Sequence, residues 1–210
     1  SMGADVELLG VIPTPAVAYL VRKYGADAGV VISASHNPVE FNGIKLFGGE
    51  GYKLPDEVEE EIESHVLDGC SRLEYAVGND VGTVRRLDCA AADYVDYLAK
   101  AIDADLSGLH IAVDCANGAA SETAHALFDK LGASCVFVGD APDGTNINRE
   151  CGSTHIDRLA QLVREKGLDC GVAFDGDADR CLAVDETGAE IDGDKILAIL
   201  GGAMKQSGKL

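Results

Sequence analysis

Three aspartates stand between two apolar runs in the stretch Val172-Ala-Phe-Asp-Gly-Asp-Ala-Asp-Arg-Cys-Leu-Ala-Val-Asp185. The apolar runs predict two β-strands, and the polar residues between them predict a loop at a strand end. Asp175, Asp177 and Asp179 alternate with small residues, so an extended backbone directs all three carboxylates to one side. These carboxylates would repel one another unless a cation neutralised them, and oxygen ligands suit magnesium. We therefore predict a Mg²⁺ site, with Arg180 beside it to meet an anion.

Predicted strands and helices alternate along the chain before this loop. Strands are predicted at 109–113 and 135–138, each followed by a helical pattern, and a third at 170–174 leads into the loop. Earlier still, residues 28–33 form a short β-branched run that predicts a buried strand. Strands that alternate with helices predict an α/β fold, here two three-layer α/β/α sandwich domains in tandem with mixed sheets.

The predicted domain organisation follows from where this periodicity weakens. Between residues 68 and 88 the apolar spacing fades and glycines recur, so we place a boundary near residue 88. Residues 1–88 then form a first domain, and residues 89–190 form a second domain that carries the acidic loop. Residues 191–210 form a linker and a helix with apolar residues on almost every side. We assign this helix to a third, truncated domain.

Composition limits the classes of function. A net charge of −19 disfavours nucleic-acid binding, which requires dense lysine and arginine patches. No apolar run approaches the roughly 20 residues of a membrane helix, so we predict no membrane span. Seven cysteines without a Cys-x-x-Cys pair favour free thiols in a reducing compartment. These features predict a soluble globular protein of the cytoplasm.

A second loop with chemical potential is Ser33-Ala-Ser-His-Asn-Pro38, which follows a predicted strand. Asn37-Pro38 is turn chemistry, so the chain leaves the strand here and exposes Ser35. His36 could exchange a proton with a phosphorylated Ser35, although a structural hydrogen bond is the open alternative. Lys45, on the next predicted strand, could stabilise phosphoryl oxygens.

Two other positions have local interpretations. Thr14-Pro15 predicts the start of a helix in which the Thr14 hydroxyl caps the N-terminus. Asn117-Gly118 predicts a turn, which either cradles a phosphate or is simply tight. We assign neither position a catalytic role.

Alternatives to a magnesium loop remain open. Asp-x-Asp-x-Asp also opens an EF-hand, with Glu186 at its twelfth position, but Arg180 stands where that motif requires glycine. Phosphatases of the haloacid dehalogenase type also begin with a strand and Asp-x-Asp, in which Asp175 would be the nucleophile and Asp177 the general acid/base. A solvated acidic turn is a third interpretation. A non-enzymatic alternative is a metal-stabilised binding module with Ser35 unmodified.

Three motifs together resemble the α-D-phosphohexomutase superfamily, in the same order and at similar separations. They are Ser33-Ala-Ser-His-Asn-Pro38, Asn42-Gly-Ile-Lys45 and Asp175-Gly-Asp-Ala-Asp-Arg180. Within that superfamily the chain is most similar to the phosphoglucosamine mutase family, through Leu9-Gly-Val-Ile-Pro-Thr-Pro15, Ile32-Ser33, Gly51-Tyr-Lys-Leu-Pro55 and Cys151-Gly-Ser-Thr-His155. The resemblance covers the chain from about Gly3 onward.

This resemblance implies an isomerase that interconverts glucosamine 6-phosphate and glucosamine 1-phosphate, on the route to UDP-N-acetylglucosamine and the cell wall. Ser35 would be a phosphoserine that gives its phosphoryl group to the 6-phosphosugar and recovers the other one from the 1,6-bisphosphate. Mg²⁺ would be held by the three aspartates and by a phosphate oxygen on Ser35. Arg180 would fix the phosphoserine, and Lys45 and His36 would assist proton movement at the sugar hydroxyl.

The resemblance also indicates what the chain does not contain. Members have four domains, and the chain resembles most of the first, all of the second and the opening helix of the third. The loops that read the sugar hydroxyls and grip the non-transferring phosphate belong to the third and fourth domains. We therefore expect weak Mg²⁺ binding and little mutase turnover from the 210 residues alone. Phosphomannomutase or phosphoglucomutase activity stays open as an alternative, as does a homodimer of the full-length protein.

Overall fold

The computed structural model describes residues 2–70, 74–102 and 104–210. Residues 71–73, within the stretch of weakened periodicity, lie outside the described residues. The strands are β1 (Val6–Leu8), β2 (Ala28–Ser33), β3 (Gly43–Gly48), β4 (Val84–Arg86), β5 (His110–Asp114), β6 (Ser134–Val138), β7 (Cys170–Phe174), β8 (Cys181–Asp185) and β9 (Glu190–Ile191). The helices are α1 (Thr14–Tyr24), α2 (Asp56–Leu67), α3 (Ala90–Ile102), α4 (Ala124–Leu131), α5 (Ile156–Lys166) and α6 (Gly193–Gln206).

Strands β5 to β9 form one mixed sheet in the order β6-β5-β7-β8-β9. Strand β5 is parallel to β6 and β7, whereas β8 runs antiparallel to β7 and β9. Helix α5 covers one face through the buried Leu159 and Val163. Helix α4 covers the other face through Ala124 and Phe128. This C-terminal region, defined as residues 104–191, confirms the predicted α/β/α sandwich with a mixed sheet.

The N-terminal region, defined as the described residues before position 89, has two separate strand pairs. Strand β1 pairs in parallel with β4, and β2 pairs antiparallel with β3. Helix α1 covers one side of the β2–β3 pair, so closely that a Cβ at Gly29 would lie 2.6 Å from Val21 Cγ2. On the opposite side, Ile32 and Ile44 are 71% and 69% exposed. The prediction of a buried strand at 28–33 is therefore wrong for one of its faces, because only alternate residues point toward α1.

Helix α3 packs against the N-terminal region. Tyr94 of α3 is buried in the same apolar cluster as Leu20 of α1. The rings of Tyr19 and Tyr97 stack with their centroids 4.0 Å apart. The domain boundary near residue 88, which would separate α1 from α3, stays a prediction.

Helix α6 buries none of its residues. Asp192 caps its N-terminus, since the Asp192 side chain accepts a 2.9 Å hydrogen bond from the Lys195 backbone N–H. Its assignment to a third domain also stays a prediction. Within the described ranges, none of the helices has the length and apolar character needed to cross a lipid bilayer.

Candidate active site

The two loops singled out in the sequence meet at the ends of β2 and β7. We call residues 33–38 the serine loop and residues 175–180 the acidic loop. Ser35 Oγ donates a 3.1 Å hydrogen bond to Asp175 Oδ2, which lies 140 positions later in the chain. The Gly176 N–H donates to the Ser35 carbonyl oxygen at 3.0 Å. The fold therefore places the hydroxyl of Ser35 directly against the first carboxylate of the acidic loop.

Ser35 has a backbone conformation that side-chain-bearing residues rarely adopt. Its φ of +52° lies in the left-handed region, where Cβ crowds the backbone. The serine loop holds this geometry in part by itself, because the Ser35 N–H donates to Ser33 Oγ at 2.9 Å. The Asn37 N–H also donates to the Ala34 carbonyl at 2.9 Å and closes the turn.

The three aspartates of the acidic loop form one cluster, with a carboxylate oxygen from each lying within 4.8 Å of the others. Asp175 and Asp177 are buried, and Asp179 is exposed. Burial and the adjacent charge of Asp177 raise the pKa of Asp175. Burial opposes ionisation of Asp177 as well, but hydrogen bonds from Lys45 and Thr14 lower its pKa overall. The cluster thus keeps at least one firmly ionised carboxylate at neutral pH.

Lys45 reaches the acidic loop from β3. Its ammonium group donates to Asp177 Oδ2 and, at 2.9 Å, to Asp179 Oδ2. Partial burial disfavours the charged amine, yet these two acceptors raise the pKa of Lys45 overall. Lys45 is therefore a fixed positive charge at the acidic loop. Within the described residues, the hydrogen-bond partners of its ammonium group are two carboxylates, and His36 is not among them.

Thr14 does not act as the predicted helix cap. Pro13 occupies the N-cap position of α1, and no side chain caps that end. The Thr14 hydroxyl instead donates to Asp177 Oδ2 at 2.9 Å, and the Thr14 backbone N–H donates to the Asp177 carbonyl at 2.9 Å. A threonine before a proline looks the same in the sequence whether its hydroxyl caps the helix or binds a distant carboxylate. The contact with Asp177 could therefore not be deduced.

His36 and Arg180 contact each other at the exposed edge of the site. Arg180 Nη1 lies 3.1 Å from His36 Nδ1, and Arg180 Nε lies 3.8 Å from Asp179 Oδ1. The Arg180 backbone N–H donates to Asp175 Oδ1 at 3.1 Å. All seven residues predicted for the site are thus brought together, namely Ser35, His36, Lys45, Asp175, Asp177, Asp179 and Arg180. The catalytic role of each stays a prediction.

The turn at Asn117-Gly118 packs against the backbone of the acidic loop. A Cβ at Gly118 would lie 2.2 Å from the Gly176 carbonyl oxygen, so only glycine fits there without a shift. That carbonyl accepts a 2.8 Å hydrogen bond from the Ala119 N–H. Of the two interpretations of this turn, the geometry favours a tight packing contact.

Asn148 is a second residue of the site that sequence reasoning missed. Its Nδ2 donates to the backbone carbonyls of Ser35 and Asn37 at 2.8 Å each. No motif marks a single asparagine in a polar loop between β6 and α5. Its partners are 113 and 111 positions away, so only the folded chain identifies it.

The acidic loop fits a divalent cation. Three carboxylates converge, which is the hard oxygen donor set that Mg²⁺ prefers. Among the described side chains, Asp177 Oδ1 is buried without a hydrogen-bond partner, which is costly for a charged group unless something else binds it. A cation held here would lie beside Ser35 Oγ, where it could also bind a phosphate on that oxygen.

Comparison with protein families gives two matches along the chain. Residues 1–72 match the phosphoglucomutase/phosphomannomutase α/β/α domain I, and residues 92–188 match domain II of the same family. The chain is also similar to phosphoglucosamine mutases. It is 53% identical to that of Acetivibrio thermocellus and 55% identical to that of Alkaliphilus oremlandii, over all of this chain and 47% of each relative. The chain thus spans about half the length of these relatives.

Solved structures give the same fold. A phosphoglucomutase/phosphomannomutase family protein from Burkholderia thailandensis superposes with a TM-score of 0.79 at 26% identity, over 98% of this chain and 46% of that one. The Aspergillus fumigatus N-acetylphosphoglucosamine mutase, in complex with GlcNAc-6P and magnesium, superposes with a TM-score of 0.54 at 20% identity. That match covers 93% of this chain and 52% of that one.

Proposed function

The chain belongs to the phosphoglucomutase/phosphomannomutase family, and from that premise we propose that it forms the serine and metal half of a phosphoglucosamine mutase site. The activity is proposed at the full length of the relatives, as an interconversion of glucosamine 6-phosphate and glucosamine 1-phosphate. One observation carries the proposal. Ser35 Oγ, on a left-handed backbone, lies 3.1 Å from a carboxylate of a three-aspartate cluster.

The choice of an amino sugar rests on the relatives. Phosphoglucosamine mutases match this chain at 52–55% identity, which is far above the 26% of the phosphoglucomutase/phosphomannomutase structure. A glucose or mannose phosphate is the alternative substrate within the same chemistry. Both classes present the same two phosphorylated positions to the serine, so the steps below hold for either.

The proposed reaction moves one phosphoryl group between oxygens. In the forward half, the bond between phosphorus and Ser35 Oγ breaks and a bond to the sugar O1 of the 6-phosphosugar forms. The hydroxyl proton passes to a nearby base, and a 1,6-bisphosphate results. In the second half, the other phosphoryl group returns from O6 to Ser35 Oγ, and O6 takes up a proton. No redox partner or water is consumed.

Asp175, Asp177 and Asp179 would hold Mg²⁺, together with a phosphate oxygen on Ser35. When bound, the ion supplies Lewis-acid polarisation and neutralises charge that spreads over the phosphoryl oxygens in the transition state. Lys45 adds a positive charge that its carboxylate partners hold in place. We propose that Arg180, which lies at the exposed edge beside His36, meets the remaining phosphoryl oxygens. We propose that His36 and Lys45 assist proton movement, in that His36 exchanges the proton and the charged Lys45 stabilises the oxygen that loses it.

A phosphatase that uses Asp175 as nucleophile is less well supported. Both carboxylate oxygens of Asp175 accept hydrogen bonds, Oδ1 from the Arg180 N–H and Oδ2 from Ser35 Oγ. We therefore propose Ser35 as the phosphoryl carrier.

Four wider proposals accompany this function. We propose a cytoplasmic location, supported by seven cysteines that are all free thiols. We propose a phosphosugar as the ligand, with domains divided near residue 88 and again near residue 191. A homodimer is proposed only for a protein of the relatives' full length.

Ser35 phosphorylation tests the proposed function. The protein, at the full length of the relatives, is incubated with glucose 1,6-bisphosphate and Mg²⁺, and phosphate is located by intact mass and peptide mapping. We expect one phosphoryl group on Ser35, which Ser35→Ala abolishes. An acyl phosphate on Asp175 would instead identify the phosphatase. No modification, together with no stabilisation by Mg²⁺, would contradict the proposal and favour a binding module.

A further inference from the structure

Asn148 joins the two regions through its side-chain amide. The two carbonyls that it binds, those of Ser35 and Asn37, flank His36 in the serine loop. A single side chain of the C-terminal region therefore holds the backbone that carries the phosphoryl acceptor. Its amide binds these backbone carbonyls and not Ser35 Oγ.

The Ser35 carbonyl is held twice by the C-terminal region. It accepts from Asn148 Nδ2 at 2.8 Å and from the Gly176 N–H at 3.0 Å. Such restraint has a physical purpose, because a non-glycine residue stays in the left-handed region only when its surroundings determine its conformation. These two donors fix the plane of the peptide that follows Ser35, and thereby the direction of its side chain.

Asn148 is itself rigidly placed. It is 7% exposed, and its N–H donates to the Ala116 carbonyl at 2.8 Å. Its φ of +56° is also left-handed, a conformation that asparagine tolerates better than most side chains. The preceding Ile147 fills the space beside Gly176, where a Cβ would lie 2.5 Å from Ile147 Cδ1. The same loop therefore supports both the serine loop and the acidic loop.

We infer that Asn148 is a positioning residue for phosphoryl transfer at Ser35, an inference that rests on the proposed function. One amide nitrogen carries two N–H donors, which matches the two carbonyls. A carboxylate of the same shape offers none and repels both. By holding the serine loop, Asn148 sets the distance between Ser35 Oγ and Asp175.

Two variants of Asn148 and one control separate this role from general stability. Asn148→Gly removes the amide but keeps the left-handed backbone accessible. Asn148→Asp keeps the shape and removes the donors. Asn146→Asp is the matched control, because the Asn146 side chain bonds within its own loop, to Ala141 O at 3.0 Å. All three are compared with the unmodified chain.

The first measurement is the single-turnover rate of phosphoryl transfer from glucose 1,6-bisphosphate to Ser35 in the presence of Mg²⁺, made on the protein at the full length of the relatives. A misplacement of about 1 Å at a reacting centre costs about 100-fold in rate. We expect a loss of that order in both Asn148 variants, with an unchanged half-saturating concentration of bisphosphate, and no loss in Asn146→Asp. A purely structural role would lower the melting temperature and leave the rate of the folded protein unchanged.

The second measurement does not depend on catalysis. Hydrogen exchange at the Gly176 N–H, which binds the Ser35 carbonyl, should accelerate in Asn148→Gly, while exchange at the Ala119 N–H stays unchanged. If the native chain phosphorylates Ser35 and the Asn148 variants do so at the same rate, the inference is overturned and the proposed function stands. If the native chain transfers nothing, the proposed function fails together with the catalytic part of the inference. Exchange at Gly176 then decides whether Asn148 still positions the loop.

Discussion

The C-terminal region and the N-terminal region contribute one loop each to the site, but they differ in how they cover their apolar residues. The C-terminal sheet has a helix on each face, and Leu159 is 1% exposed. In the N-terminal region, one side of the β2–β3 pair packs on α1 while the other side exposes Ile32 and Ile44. The acidic loop therefore follows a strand of a sheet that helices cover on both faces. The serine loop follows a strand pair that is covered on one side only.

This difference indicates where the serine loop obtains its rigidity. Its own region provides one packed face, and the C-terminal region provides the hydrogen bonds of Asn148 and Gly176. The acidic loop in turn receives Thr14 and Lys45 from the N-terminal region. We infer that each loop is stabilised by hydrogen bonds from the other region. The serine loop depends on these hydrogen bonds more than the acidic loop does.

The largest loss of stability should come from a substitution in the core between α5 and the sheet that carries the acidic loop. Leu159→Ala leaves a cavity between α5 and the sheet, and we expect a loss of about 2–5 kcal/mol in the free energy of unfolding. Ile32→Ala, on the open side of β2, should change it by less than about 0.5 kcal/mol. Urea titration followed by circular dichroism measures both. Equal losses would show that the open side of β2 is in fact covered.

A smaller loss should follow from Gly118→Ala. The added Cβ meets the Gly176 carbonyl, and overpacking of this kind costs about 1–3 kcal/mol. Because Gly176 lies between two of the carboxylates, Mg²⁺ affinity, read by thermal shift, should fall as well. The control is Gly202→Ala in α6, where nothing lies within 4 Å of the new Cβ. That change should be neutral or stabilising, and a similar loss at both positions would argue against the packing contact.

Thr14→Val removes a hydrogen bond between the two regions while keeping the side-chain volume. Asp177 keeps its bond from Lys45, so we expect a loss of about 1 kcal/mol in unfolding free energy. Thr187→Val is the matched control, because Thr187 makes the same kind of bond to Asp185 on an exposed turn, at 2.7 Å. If Thr187→Val destabilises the protein as much, the buried position of Thr14 has no special importance.

The smallest effect should come from Asp93, which links α3 to α1. Hydrogen bonds from Lys23 and Tyr24 lower the pKa of Asp93. Its contribution is therefore present above the ordinary aspartate pKa of about 3.9 and is lost as pH falls below it. Asp93→Asn should lower the unfolding free energy by less than about 1 kcal/mol at neutral pH, because the pair is partly solvated. The difference between native and variant proteins should vanish in acid, and a constant difference would rule out this ion pair as its cause.

Local chemistry made much of the fold predictable. The strands at 28–33 and 170–174 have the predicted bounds, since short β-branched or apolar runs are followed there by residues that cannot continue a strand. Strands β1 and β4 were not predicted. Each has only three residues, which is too short to show an alternating apolar pattern. Their pairing partners, such as Val6 and Val84, also lie far apart in the chain, so the local sequence does not indicate either strand.

The candidate site was predictable where residue type alone limits the chemistry. Three alternating aspartates and a serine before His-Asn-Pro stand out in any sequence, and the structure brings them together. Thr14 and Gly118 stood out only for local roles, as a helix cap and a turn, and Asn148 did not stand out. Their roles depend on a carbonyl or carboxylate that another part of the chain supplies, and a hydrogen-bond partner 163 positions away leaves no trace in local spacing.

The separations across the site, 113, 140 and 163 positions, have a kinetic consequence. Contacts between distant positions close long loops and are made after local structure has formed. The serine and acidic loops should therefore be unformed in the folding transition state, so that substitutions at Asn148 or Thr14 accelerate unfolding and leave the folding rate nearly unchanged. In this protein the candidate site would be the last part to assemble and the first to open.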